Sequence, residues 1–159
     1  MNNCVKLGLL GAGQWGKNYI NTIEKIKNIE LTCICSKNLN VHKSYANKYK
    51  IYHNWKKLID EGQFDGLIIA TPTDTHIKIM DYCINLRIPI LVEKPLTKFP
   101  AKAESIFEKA KNKNGIVLVD HIHLYHPSFK RLKEIYSNYG EVHSIQAISG
   151  GKGPFRKDT

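Results

Sequence analysis

Three glycines carry the most chemistry in this chain. In Gly11-Ala12-Gly13-Gln14-Trp15-Gly16 they follow the apolar run from Val5 to Leu10 and stand at the head of a helical pattern. That order suits a phosphate cradle between a strand and a helix. Gly11 permits the tight turn out of the strand, Gly13 has no side chain to keep a pyrophosphate from the backbone, and Gly16 lets the helix close on the sheet. Free N–H groups at the helix start, aided by the positive end of the helix dipole, then face the phosphates. The bland alternative is an ordinary strand-to-helix turn.

Four more polar clusters stand just after apolar runs. Where a dinucleotide fold usually carries an acid for the ribose hydroxyls of NAD, this chain has Ser36-Lys37-Asn38. A lysine flanked by two hydrogen-bonding side chains suits a 2′-phosphate better than a bare diol, which favours NADP over NAD; the alternative is a plain surface lysine and weaker NAD binding. Ala70-Thr71-Pro72-Thr73-Asp74-Thr75-His76 forms a second turn, in which Thr73 or Asp74 can cap the next helix. Glu93-Lys94-Pro95-Leu96 puts a charged pair at the mouth of an apolar strand, costly unless the charges meet each other or a ligand. Asp120-His121-Ile122-His123-Leu124-Tyr125-His126 holds three histidines, but their gaps do not match a helical zinc pair, so a polar cleft wall is expected and no metal.

The elements that must position these groups alternate. Hydrophobic periodicity predicts strands over 4–10, 30–35, 51–52, 66–70, 89–92, 115–120 and 141–149. It predicts helices over 14–27, 41–49, around Trp55, Leu58 and Ile59, and over 74–86, 100–113 and 127–137. Strand and helix in this alternation imply an α/β fold, a doubly wound parallel sheet with right-handed crossovers and ligands beyond the carboxyl ends of the strands. The glycine-rich tail from Gly150 to Thr159 follows a strand with no helix after it.

Composition narrows the class. The chain has 159 residues, 42% of them hydrophobic, enough for one well-packed domain but not comfortably two. No apolar run approaches the ~20 residues that span a bilayer, and the N-terminus lacks a signal-peptide pattern, so no membrane partner and a cytoplasmic location are expected. Cys4, Cys33, Cys35 and Cys83 show no metal or redox spacing and read as small buried thiols. The net charge of +10 comes mostly from scattered lysines, which argues for a solvated surface and against a nucleic-acid partner.

Together the segments 8–16, 70–76, Glu93-Lys94-Pro95-Leu96 and 120–134 resemble the Gfo/Idh/MocA oxidoreductases, named for glucose–fructose oxidoreductase and inositol dehydrogenase. The Glu-Lys-Pro segment is the specific one. The resemblance covers essentially this whole chain but only the first half of a typical member. It implies a Rossmann fold over 1–124, followed over 125–159 by a linking helix and the first strand of a substrate and dimerisation domain, whose antiparallel sheet is largely absent. It implies that Gly11, Gly13 and Gly16 cradle the pyrophosphate with Gln14 and Trp15, that Ser36 and Lys37 flank the adenosine ribose, and that Thr71, Pro72 and His76 line the cofactor crevice. Glu93 and Lys94 would lie near the nicotinamide and its ribose. Lys94 resembles the family lysine that touches the substrate hydroxyl, and by the same resemblance His121 would border the substrate pocket. The implied activity is NAD(P)-dependent hydride transfer to or from a sugar or nucleotide-sugar hydroxyl or ketone, in a homo-oligomer joined through the C-terminal sheet when complete. The competing expectation is a dinucleotide-binding or regulatory module without chemistry.

Overall fold

The computed structural model describes residues 4–148 and residue 150. The chain divides into two compact units, Met1–His121 and Ile122–Thr159. In the first, strands and helices alternate: β1 (Val5–Leu10), α1 (Gln14–Ile23), β2 (Ile29–Cys35), α2 (Leu39–Tyr45), β3 (Lys50–Tyr52), α3 (Trp55–Glu61), β4 (Gly66–Ile69), α4 (Thr73–Asn85), β5 (Ile90–Val92), α5 (Pro100–Asn112) and β6 (Val117–Val119). Every ladder is parallel, and the strand order is β3-β2-β1-β4-β5-β6. This is the doubly wound Rossmann order, whose direction reverses between β1 and β4.

The strands are apolar on both faces because both faces are covered. Side chains alternate across a strand. Leu9, Ile34 and Ile68 enter one cluster with Ile20 and Ile23 of α1 and Val41 of α2. Their neighbours Leu10, Cys33, Cys35, Leu67 and Ile69 enter another, with Leu58 and Ile59 of α3, Ile79, Met80, Cys83 and Ile84 of α4, and Ile106 of α5. Each fully buried Leu or Ile contributes about 1.5–3 kcal/mol over the exposed state. Cys33, Cys35 and Cys83 are buried among these residues as free thiols, while Cys4 is exposed.

Helix ends depart from the periodicity. The first helix stops at Ile23, not Lys27, because Lys25 and Ile26 turn back on the carbonyls of Thr22 and Ile23, at 3.1 and 3.0 Å. The helix expected over 41–49 instead starts at Leu39, where the Asn38 side chain caps it by accepting from Asn40 N at 2.9 Å. Neither Thr73 nor Asp74 caps α4: Pro72 is its N-cap, and Asp74 lies inside the first turn.

The second unit holds a 3-10 turn (Ile122–Tyr125), α6 (Pro127–Ile135) and a second 3-10 turn (Tyr136–Tyr139). His126 caps α6, its Nδ1 accepting from Ser128 N at 3.3 Å. The strand expected over 141–149 does not form in 141–148, which carry no regular structure. A strand is held by hydrogen bonds to a neighbour, and this segment finds none among the described residues, so its apolar alternation has nothing to register against. Ser149 and the tail over 151–159 lie outside the described residues. No helix among the described residues is long and apolar enough to cross a membrane.

Candidate functional site

The three glycines meet at the point where the strand order reverses. Gly11 has a φ of +90°, a conformation L side chains rarely adopt, and a Cβ there would stand 2.5 Å from the carbonyl oxygen of Ala70. The exits of β1 and β4 therefore touch backbone to backbone. Gly11 N also donates to Cys35 O at 2.9 Å, and Ala70 N to Leu10 O at 2.8 Å, which ties the exits of β2, β1 and β4 together. At Gly16 a Cβ would sit 2.0 Å from Gly11 O, so α1 closes directly on the turn. Gly13 differs: a Cβ there meets nothing within 4 Å. It is the N-cap of α1 and offers no side-chain cap, and no acid stands in the first turn. Gln14 and Trp15 are exposed beside it. The helix start is thus an open set of N–H donors facing solvent, the arrangement that receives an anion.

At the exit of β2, Ser36 is buried and Lys37 exposed. Ser36 Oγ accepts from Asn38 N at 3.1 Å, while the Asn38 side chain is committed to capping α2. His42 Nε2–H donates to Ser36 O at 2.8 Å, and the His42 ring stacks on His53, with centroids 4.1 Å apart. Neither histidine was singled out by sequence: His42 lies within a predicted helix, and His53 follows a run of only two apolar residues, Ile51 and Tyr52.

After β4 the turn is built from its own side chains. Thr75 Oγ1 donates to Pro72 O at 2.7 Å, so the 2.6 Å contact with Thr71 Oγ1 is a bond donated by Thr71. His76 is only 1% exposed. Its Nε2 faces Thr71 O at 2.8 Å and its Nδ1 faces Leu96 O at 3.2 Å. The buried ring therefore sits between the turn after β4 and the loop after β5, its single N–H donating to one of the two carbonyls according to tautomer.

Glu93 and Lys94 do not pair with each other. Glu93 is 7% exposed, whereas Lys94 is exposed, and the Lys94–Pro95 peptide is cis. Glu93 Oε2 accepts the backbone N–H of Lys94 at 3.1 Å, and Tyr19 Oη of α1 lies 2.9 Å from Glu93 Oε1. The same phenol is hydrogen-bonded to Asp120 Oδ2, just past β6. Burial pushes the Glu93 carboxyl above its usual range, opposed by the Tyr19 hydrogen bond and reinforced by the charge of Asp120. Burial and the two carboxyls hold the Tyr19 phenol far above its ordinary value. By sequence alone Tyr19 falls on the apolar side of α1, next to Ile20 and one turn before Ile23. Its position one turn beyond Gly16 was the signal available. His121 is exposed at the end of the first unit, its N–H donating to Val119 O at 2.8 Å.

Known proteins share this fold. Residues 5–121 match the family model described as an oxidoreductase family with an NAD-binding Rossmann fold. The 4-carboxy-2-hydroxymuconate-6-semialdehyde dehydrogenase of Sphingobium sp. is 27% identical over 127 residues, 78% of this chain and 40% of that protein. Myo-inositol 2-dehydrogenase of Thermotoga maritima is 23% identical over 155 residues, 94% of this chain and 46% of that one. The WlbA dehydrogenase of Bordetella pertussis, solved with NADH and UDP-GlcNAcA, superposes with a TM-score of 0.78 at 18% identity, covering 84% of this chain and 40% of its own. The chain thus spans less than half the length of these relatives. A glycine turn at the strand reversal, a Glu-Lys-Pro loop beside it and a family match over most of the length give one answer: the chain belongs to the Gfo/Idh/MocA family of NAD-binding oxidoreductases.

Proposed function

We propose that this chain is the cofactor-binding portion of a nicotinamide-dependent dehydrogenase acting on a sugar or nucleotide-sugar hydroxyl or ketone. The observation that carries the reading is the open space at Gly13, beneath an uncapped helix start and across the strand reversal from Glu93 and Lys94. The residues fit a dinucleotide. Gly11 and Gly16 are filled by backbone, so the turn cannot take side chains there, and Gly13 alone leaves room for a phosphate. The N–H groups of residues 13–15 would bind the pyrophosphate, and Ser36 and Lys37 the adenosine ribose.

When bound, the nicotinamide supplies the acceptor or donor of the hydride. The chain's own groups do the rest. Lys94, exposed at the mouth of β5, would polarise the substrate hydroxyl and take or return its proton. Glu93 anchors the Lys94 backbone from behind. Lys37, with no acid near it in sequence, supports a preference for NADP over NAD. Two relatives support the substrate class, one named for myo-inositol and one solved with a nucleotide sugar. The buried free thiols of Cys33, Cys35 and Cys83 support a cytoplasmic setting.

Titration with NADH and NADPH, followed by calorimetry and by quenching of Trp15, tests this. Saturable binding is expected, tighter for NADPH, and Lys94→Ala should keep it. In the chain with its substrate-binding complement, the same variant should lose turnover, whereas a regulatory module would show no turnover to lose. Failure of both cofactors to bind would refute the reading.

A further inference from the structure

Tyr19 has one hydroxyl proton and two carboxyl partners. Its Oη lies 2.9 Å from Glu93 Oε1 and is also hydrogen-bonded to Asp120 Oδ2. A phenol donates once, so both contacts are hydrogen bonds only if a carboxyl supplies the second proton. Glu93 is the one placed to hold it. It is the more buried of the two acids, and its other oxygen is occupied by the backbone N–H of Lys94. The chain of bonds then runs from Glu93 O–H to Tyr19 Oη, and from Tyr19 O–H to Asp120.

Among the described residues no cation pairs with this cluster. The groups facing it are Tyr19 from α1, Asp120 from beyond β6 and the amide of Lys94. Among the described residues no ion pair involves Glu93 or Asp120, although Lys94 and His121 are their sequence neighbours. Two carboxyls sharing one site without a counter-charge keep a proton between them. Burial of Glu93 and the charge of Asp120 both act in that direction.

The cluster also lies in a telling half of the sheet. A doubly wound dinucleotide fold is two mononucleotide-binding halves. The glycine turn and the β2 exit belong to the half that takes the adenosine end. Glu93 and Asp120 follow β5 and β6, in the half left for the nicotinamide. The oxidised ring is a cation and the reduced ring is neutral.

We propose that Tyr19, Glu93 and Asp120 hold one proton between two carboxyls and release it when the cationic, oxidised nicotinamide binds beside Glu93. Binding of oxidised cofactor then expels a proton, and binding of reduced cofactor does not. Glu93 is the sensor of the cofactor's charge, Tyr19 positions its carboxyl, and Asp120 sets how firmly the proton is held. This rests on the dinucleotide reading above.

The test is the dissociation constant of each cofactor against pH on the full chain, with proton release counted by calorimetry in buffers of different ionisation enthalpy. Below the cluster's titration, affinity for oxidised cofactor should rise tenfold per pH unit, while affinity for reduced cofactor stays level. Asp120→Asn removes the neighbouring negative charge and should move the break to lower pH. Glu93→Gln should abolish it. A general effect of surface charge on an anionic ligand would survive both substitutions. Parallel profiles for the two cofactors, or a slope that persists in Glu93→Gln and is unmoved in Asp120→Asn, overturn the proposal while leaving the binding site intact. If neither cofactor binds, the dinucleotide reading falls as well.

Discussion

Replacing Gly13 and Gly16 separately by alanine separates ligand room from folding room. At Gly13 the backbone has φ −70°, open to any residue, and a Cβ meets nothing within 4 Å. Alanine restricts the unfolded chain, which stabilises by about 0.4–1 kcal/mol. It is also a poorer N-cap than glycine, which costs a similar amount, about 0.5–1 kcal/mol. The two nearly cancel, so thermal unfolding should be unchanged within about 1 kcal/mol. At Gly16 the added carbon would stand 2.0 Å from Gly11 O. That neighbour is backbone and cannot swing aside, so α1 or the turn must shift, at about 1–3 kcal/mol for an overpacked contact. For a chain of this length each kcal/mol lowers Tm by roughly 2–4 °C. Binding should show the reverse contrast. Gly13→Ala places a methyl group where the pyrophosphate must approach, and NADH affinity should fall at least about tenfold, or 1.4 kcal/mol. Differential scanning calorimetry and NADH titration of both variants give the four numbers. An unchanged NADH affinity in Gly13→Ala, or an unchanged Tm in Gly16→Ala, would refute the reasoning.

Two other outcomes are expected. His76→Leu removes the ring N–H and leaves the carbonyl it donates to, of Thr71 or Leu96, without a partner in a buried site, so the urea midpoint should fall by the equivalent of about 1–3 kcal/mol. The Glu93 carboxyl is raised in the folded state above its ordinary 4.5. The folded chain therefore binds more protons than the unfolded one, and the stability linked to this group is full below pH 4.5 and lost as pH rises through the raised value. Urea midpoints of the parent chain should thus decline with pH relative to Glu93→Gln across that window, and parallel curves would exclude the raised titration.

What could be read from sequence was what depends on short range. Gly11, Gly13 and Gly16 were assigned their places from spacing alone, and the structure gives each the steric surroundings that spacing implied. The strand exits were legible because buried parallel strands are apolar runs with abrupt polar ends. Long-range partners were not. Tyr19 looked like one more residue of an apolar stripe, and its bonds reach 74 and 101 residues along the chain. His76 was expected to line the crevice, since nothing local announces that two carbonyls from different loops enclose it. The segment over 141–148 misled for a related reason. Alternation states which residues could face a core, but whether a neighbouring strand is there to pair with is a property of the tertiary structure.

The bare start of α1 has a practical consequence. Its donors are met by no side chain, so without a nucleotide they are hydrated, and any small oxyanion in the medium can take the water's place. Phosphate and sulfate buffers are therefore competitors rather than spectators. Apparent cofactor affinities will depend on which salt is chosen as well as on its concentration. Chloride media should report the tighter constants, and sulfate should stabilise the empty chain by mass action.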